Sequence, residues 1–160
     1  MLRFMKILLV LGVALWALLS VLGNLTDWDG TLGAVKAATS MTTFEGGAQW
    51  RATTNPMIIT AGALFIILAK LIAGILCLVG ARYMWRARAE SSAVFTQAKT
   101  LALTGCGVAV FMLFVGFTVI GETWFELWRS EAMRAPVLAS AFRYGSMISL
   151  IAIFVAMTDE

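Results

Sequence analysis

Lys70 sits near the middle of a long apolar stretch, 57–81, with no other charge inside it. A cation at that depth in a membrane helix costs about 2.5–3.5 kcal/mol on insertion scales. It calls for a facing partner, a water-filled cavity, a lowered pKa or a route to the interface. Its chemistry is that of an ion, proton or anionic-ligand site. The structural alternative is a Lys held by a backbone carbonyl or by another subunit's carboxylate. No acidic residue lies at comparable depth, so the chain offers no midplane ion pair of its own. Glu122 and Arg143 form the second candidate set. Glu122 closes the third apolar run and Arg143 enters the fourth on the same membrane side, so a bidentate contact is expected to staple the two. A substrate-binding Arg143 is the alternative reading.

Other chemistry is sparse. Cys77 and Cys106 both fall inside apolar runs, outside any Cys-x-x-Cys motif or aqueous loop, and read as small packing residues. Histidine is absent. That removes the His ligands of membrane b-type cytochromes and the Glu-x-x-His pairs of di-iron bundles. Zinc would need Cys, Asp and Glu gathered from distant positions. No Ser, Cys or carboxylate has a recognisable base beside it, so acyl or phosphoryl transfer has no basis in the sequence. The expectation is a protein that is not an enzyme and holds no metal or cofactor.

The elements that must position these residues are four apolar runs, at 4–23, 57–81, 101–121 and 136–157. Each approaches or exceeds the roughly 18–20 residues that cross a hydrocarbon core about 30 Å thick. In lipid the backbone must satisfy its own hydrogen bonds, as a helix or a closed barrel. The runs lack the alternation of barrel strands, so helix is expected. The fold class that follows is an all-α membrane protein, a four-helix transmembrane bundle with an ordered outer loop between helices one and two. It forms a single domain over 1–160. Composition agrees: 61% of residues are hydrophobic and 13% charged, whereas a soluble domain carries about 25% charged residues. The net charge of +3 is spread along the chain, which gives no support for a nucleic-acid partner. The expected partners are membrane lipids, and other membrane subunits or a second copy.

Charge sets the topology. Arg3 and Lys6 precede the first run, and Arg82, Arg86, Arg88 and Lys99 follow the second against one acid, Glu90. Cations near membrane ends stay cytoplasmic. Both termini are therefore expected inside, in a bacterial inner membrane, with the first run retained as a helix. Trp28, Trp50, Trp124 and Trp128 fall near the expected outer ends, as an aromatic belt would place them. Small residues recur at spacings of four: Ala69, Ala73, Cys77 and Ala81 in helix two, and Ala141, Gly145 and Ser149 in helix four. Gly105 and Ala109, beside Ala102 and Cys106, do the same in helix three. Such faces are packing seams, either within the chain or toward another subunit. Pro56 and Pro136 are expected at helix starts.

Residues 24–56 make a longer connection than a bundle needs. Asp27 and Asp29, followed by Gly30, are expected to cap or turn into a short helix over 31–40; they also look like the opening of a calcium loop, but the remaining ligand spacing is missing. Phe44, Trp50 and Arg51 are expected to fold the loop down as a lid, or to form an interaction surface.

Several stretches carry a resemblance. They are Asn24-Leu-Thr-Asp27, Ser40-Met-Thr-Thr-Phe44, Trp50-Arg51, Gly121-Glu-Thr-Trp-Phe-Glu-Leu-Trp-Arg-Ser130 and Ala141-Phe-Arg143. Together they resemble a bacterial family of uncharacterised small integral membrane proteins, domain-of-unknown-function family 2165. The resemblance spans nearly the whole chain and implies four spans with no established activity. In that family's pattern a His and an Asp flank the Ser-Met pair of the outer loop. This chain has neither there, so a metal or proton role resting on them does not carry over. The shared residues gather on the outer side, which makes that face the expected place for a site. Three functions follow as expectations. The first is a non-enzymatic accessory or assembly subunit, or homo-oligomeric component, of a membrane complex. The second is a small transporter or channel using Lys70, with Glu122 and Arg143 at an outer gate. The third is a lipid- or quinone-binding protein with a slot at Trp124, Phe125 and Trp128 and Arg143 toward a headgroup.

Overall fold

The computed structural model describes residues 1–159, so Glu160 of the expected single unit lies outside the described residues. Four helical stretches are long and apolar enough to cross a membrane: Leu2–Thr26, Pro56–Arg86, Ser92–Trp124 and Glu131–Ala156. The first is α1 (Leu2–Thr26), followed by a shorter α2 (Trp28–Thr39). The second is α3 (Pro56–Arg86). The third is built from α4 (Ser92–Ala98), α5 (Thr100–Phe111) and a π-helical segment, Met112–Trp124. The fourth runs through α6 (Glu131–Met133), a second π segment, Arg134–Ala139, and α7 (Ser140–Ala156). α1 and α5 flank α3, and α7 packs on α5 and its π extension.

Local chemistry sets the boundaries. The Asn55 side chain accepts from the Met57 amide at 2.9 Å, with Pro56 at the first turn, where its missing N–H costs nothing. Asp27 ends α1 and caps α2, accepting from the Gly30 amide at 3.1 Å. A Cβ at position 30 would lie 2.1 Å from Asp27 Oδ2, so a larger residue there would push the capping carboxylate aside. The expected capping role of Asp27 is therefore seen, and the short helix starts at Trp28, immediately after its cap.

Three expectations are corrected. The second span continues to Arg86, so Arg82 and Arg86 ride on helix and not in a loop. The third starts at Ser92, because Ser91 caps a first turn ahead of the apolar run. Pro136 is not at a helix start: it lies inside the π segment Arg134–Ala139. Proline removes a helical hydrogen bond and crowds the preceding turn, so a widened coil around it relieves the conflict.

The small-residue seams are consumed inside the chain. Ala73, Cys77 and Ala81 of α3 and Ala102, Cys106 and Ala109 of α5 are at most 2% exposed. A Cβ on Gly80 would sit 2.4 Å from the Ala102 backbone nitrogen, and one on Gly105 would sit 2.9 Å from the Ala73 carbonyl. Close backbone approach of this kind replaces the hydrophobic drive that lipid does not supply. The two cysteines are buried and unbridged, packing residues as expected.

Candidate functional site

The connection between α2 and α3 folds over one end of the bundle as a lid, and basic–aromatic contacts hold it. The Arg51 guanidinium lies between the Trp50 and Trp124 rings, 5.1 and 5.0 Å from their centroids. It donates to the Trp124 carbonyl at 3.2 Å and stands 3.8 Å from Glu126 Oε1. Glu126 also meets Arg129 at 3.2 Å, and Arg129 donates to the Glu45 carbonyl at 3.1 Å and covers Phe44. Thr53 donates its amide to the Thr39 carbonyl at 2.8 Å and closes the loop's two ends together. Glu126 and the fully buried Met41 take left-handed backbone angles, with φ of 51° and 52°. Non-glycine residues hold such angles only where their surroundings over-determine them.

Beside the lid, walled by α2 and by Phe125 and Leu127 of the stretch that the clasp holds, lies an almost wholly apolar cavity of about 420 Å³. Its walls come from α2 (Ala34, Ala38), α3 (Gly62, Phe65), the first π segment (Gly116, Ile120) and the chain just beyond it (Phe125). Residues without bulk at Ala34, Ala38, Gly62 and Gly116 leave the space that larger side chains would fill. The Phe125 amide closes the first π segment on the Ile120 carbonyl, five residues back, at 3.0 Å, and the Thr123 hydroxyl donates to the Thr118 carbonyl at 3.0 Å. π-helical turns are rare and concentrate at functional sites. Here thirteen residues adopt the form along the cavity wall.

Next to it, deeper along α3, is a second cavity of about 470 Å³ lined by Lys70. All four membrane-spanning stretches contribute: Trp16 and Ser20 from α1, Lys70 from α3, Leu113 and Phe117 from the first π segment, and Ser140 and Tyr144 from α7. Phe117 and Val137 line both cavities and so form the wall between them.

The opposite end holds a charge cluster. Lys6 and Lys99 are 2% and 1% exposed. Lys6 Nζ lies 3.0 Å from Asp159 Oδ1, and Lys99 pairs with the other carboxylate oxygen. Both ammonium groups also donate to the Met157 carbonyl, at 2.7 and 2.8 Å. Burial alone would raise the Asp159 pKa, but hydrogen bonds and charge from Lys99 and Lys6 together hold it below the ordinary carboxylate value. Arg3 donates to the Arg88 and Glu90 carbonyls at 3.1 and 2.6 Å, which ties the start of α1 to the turn after α3.

Phe44, Trp50, Arg51, Trp124 and Trp128, read from the sequence as a surface set, come together with the lid. The expected slot at Trp124, Phe125 and Trp128 is only partly formed: Phe125 lines the apolar cavity, whereas Trp124 and Trp128 stay exposed in the clasp. Asp27 stands apart at the α1–α2 hinge. The expected Glu122–Arg143 staple is absent among the described residues. Arg143 projects from the exposed side of α7, 3.2 Å from Ser140 Oγ and 5.2 Å from the Tyr144 ring. The widened coils between the two residues set them on different bearings from those of ideal α-helices. Sequence reading missed Glu126 and Arg129 as the clasp's ion pair, although both lie in the stretch 121–130 that carried the resemblance. It missed the Lys6–Lys99–Asp159 cluster altogether.

Four apolar spans with two lateral cavities between them define a small multi-pass integral membrane protein. A family model described as "Predicted small integral membrane protein (DUF2165)" matches residues 2–158, and the chain belongs to that family. No curated protein and no solved structure matches it.

Proposed function

We propose that this protein is a non-enzymatic, membrane-embedded binding protein for an apolar or amphiphilic molecule, seated in the apolar cavity between α2, α3 and the first π segment. The carrying observation is the apolar cavity of about 420 Å³, within the roughly 300–1,000 Å³ of typical ligand sites. Glycine and alanine clear its walls, a long π segment shapes it, and Phe125 and Leu127, on either side of the clasp residue Glu126, line it. In a bacterial inner membrane the cations around Arg3 and Arg88 favour placing both chain ends in the cytoplasm and the lid outside.

The test is extraction in mild detergent followed by identification of retained lipids, quinones and other apolar molecules. Wild-type protein is expected to carry a stoichiometric apolar species, and Gly116→Leu, which pushes a side chain toward Phe65, is expected to lose it. A wild-type preparation with only bulk lipid would contradict the proposal.

A second reading, a subunit of a larger membrane assembly, draws on the fourth span. It is the least enclosed of the four, with Phe142, Met147, Leu150 and Ile153 all more than half exposed. Cysteine crosslinking from Met147 in native membranes tests it, with a discrete higher-mass product expected. The small-residue seams of α3 and α5 lend it no weight, since those two helices use them on each other, whereas Gly145 and Ser149 of α7 stay only half-buried.

A further inference from the structure

We infer that the ligand is an acid on an apolar chain, with its carboxylate or phosphate on Lys70 and its chain running past Phe117 and Val137 into the apolar cavity. This inference rests on the reading of that cavity as a ligand site. Three observations carry it. Lys70 stands halfway along α3, and among the described residues no hydrogen bond, ion pair or aromatic ring engages its ammonium group. A bare cation at that depth is costly, so a site that retains one has a use for its charge. Half-buried Lys70 lines a cavity of about 470 Å³. Among the described residues no carboxylate lines that cavity, so a bound anion is what would neutralise the cation there.

The other polar groups suit an acid's oxygens. Ser20, Ser140 and Tyr144 supply hydroxyl donors around the same space, and Trp16 stands 5.3 Å from the Tyr144 ring, closing one side. Charge-assisted hydrogen bonds from an ammonium and hydroxyls to an acid are strong in a medium of low dielectric. The second cavity adds the other half of the ligand. It offers almost no polar wall, and Phe117 and Val137 line both it and the first. One site for a charged head and one for an apolar tail thus lie end to end, which fits an anionic amphiphile better than a small ion. A small ion would leave the apolar cavity unused, and a neutral quinone would leave the cation unneutralised.

The experiment uses the purified full chain, stripped of lipid in a short-chain non-ionic detergent and titrated by native mass spectrometry. Three probes share one chain: hexadecanoate, hexadecyl phosphate and hexadecanol. Wild-type protein is expected to bind the acids at least about tenfold more tightly than the alcohol, the discrimination of one charge-assisted hydrogen bond. Lys70→Met is expected to bring that preference close to one, and Lys70→Arg to keep most of it. Whichever acid binds more tightly identifies the headgroup as carboxylate or phosphate. Equal affinity for acid and alcohol in the wild type, or an acid preference that survives Lys70→Met, overturns the inference and leaves the cavity beside the lid as an apolar site. Absence of saturable binding by all three probes overturns the cavity reading as well.

Discussion

Asp159 faces two buried cations, and that imbalance makes it the residue with the largest electrostatic role in the fold. Lys6 and Lys99 reach it from positions far away in sequence, and its side chain is only 3% exposed. Removing one partner from a buried cluster leaves uncompensated charge, so Asp159→Asn is expected to destabilise the protein by at least about 2 kcal/mol. Thermal unfolding in detergent checks this. Because the folded pKa lies below the ordinary carboxylate value, the cluster's contribution is complete above the unfolded pKa of about 3.9. It is lost as the pH falls through the lower folded value. Wild-type stability is therefore expected to drop on acidification below about pH 4, and this cluster's share of that drop is expected to vanish in Asp159→Asn. The sequence showed Lys6 and Lys99 as marks of one membrane side, and they do share an end of the bundle. Their pairing was not readable, because a contact between positions this far apart depends on how the first and third spans meet the chain beyond α7. Lys70 was readable for the opposite reason: a lone charge in an apolar run stands out whatever the tertiary arrangement.

Between helices, the α3–α5 seam is the tightest contact, and it makes a sharp contrast testable. At Gly80 an added methyl would meet the Ala102 backbone, which cannot move aside as a flexible side chain would. Gly80→Ala is expected to lower stability by about 1–3 kcal/mol through overpacking. Gly107→Ala lies on the same α5 with nothing within 4 Å of the new methyl, and is expected to raise stability by up to about 1 kcal/mol through reduced backbone entropy. Equal effects of the two substitutions on detergent unfolding would contradict the seam. This seam was legible because small residues at spacings of four must share a helical face. The π segments were not. Residues 101–121 read as an uninterrupted apolar helix, with nothing in the pattern to mark where the coil widens. That hidden irregularity is also why the Glu122–Arg143 staple, reasoned from ideal helices, does not form.

At the level of the whole molecule, the four spans, the lid and the shared end for both chain ends followed from hydropathy and charge. The two cavities did not, since they arise where four helices diverge, and a single chain's pattern carries no record of that spacing. The clasp is expected to govern access. Glu126→Gln removes the charge facing both Arg51 and Arg129, and is expected to speed ligand exchange severalfold with little loss of stability, measured as dissociation of the retained molecule. Placement in the membrane is checked by reporter fusions, with signals after Arg88 and after Asp159 expected on one side and a signal in the lid on the other. The most direct measurement is residue-level mapping with a photoreactive long-chain lipid in native membranes. The account predicts saturable labelling centred on Phe65, Phe117 and Phe125. Labelling confined to the outward-facing Leu15, Phe114 and Phe142, in proportion to their exposure and without saturation, would contradict it.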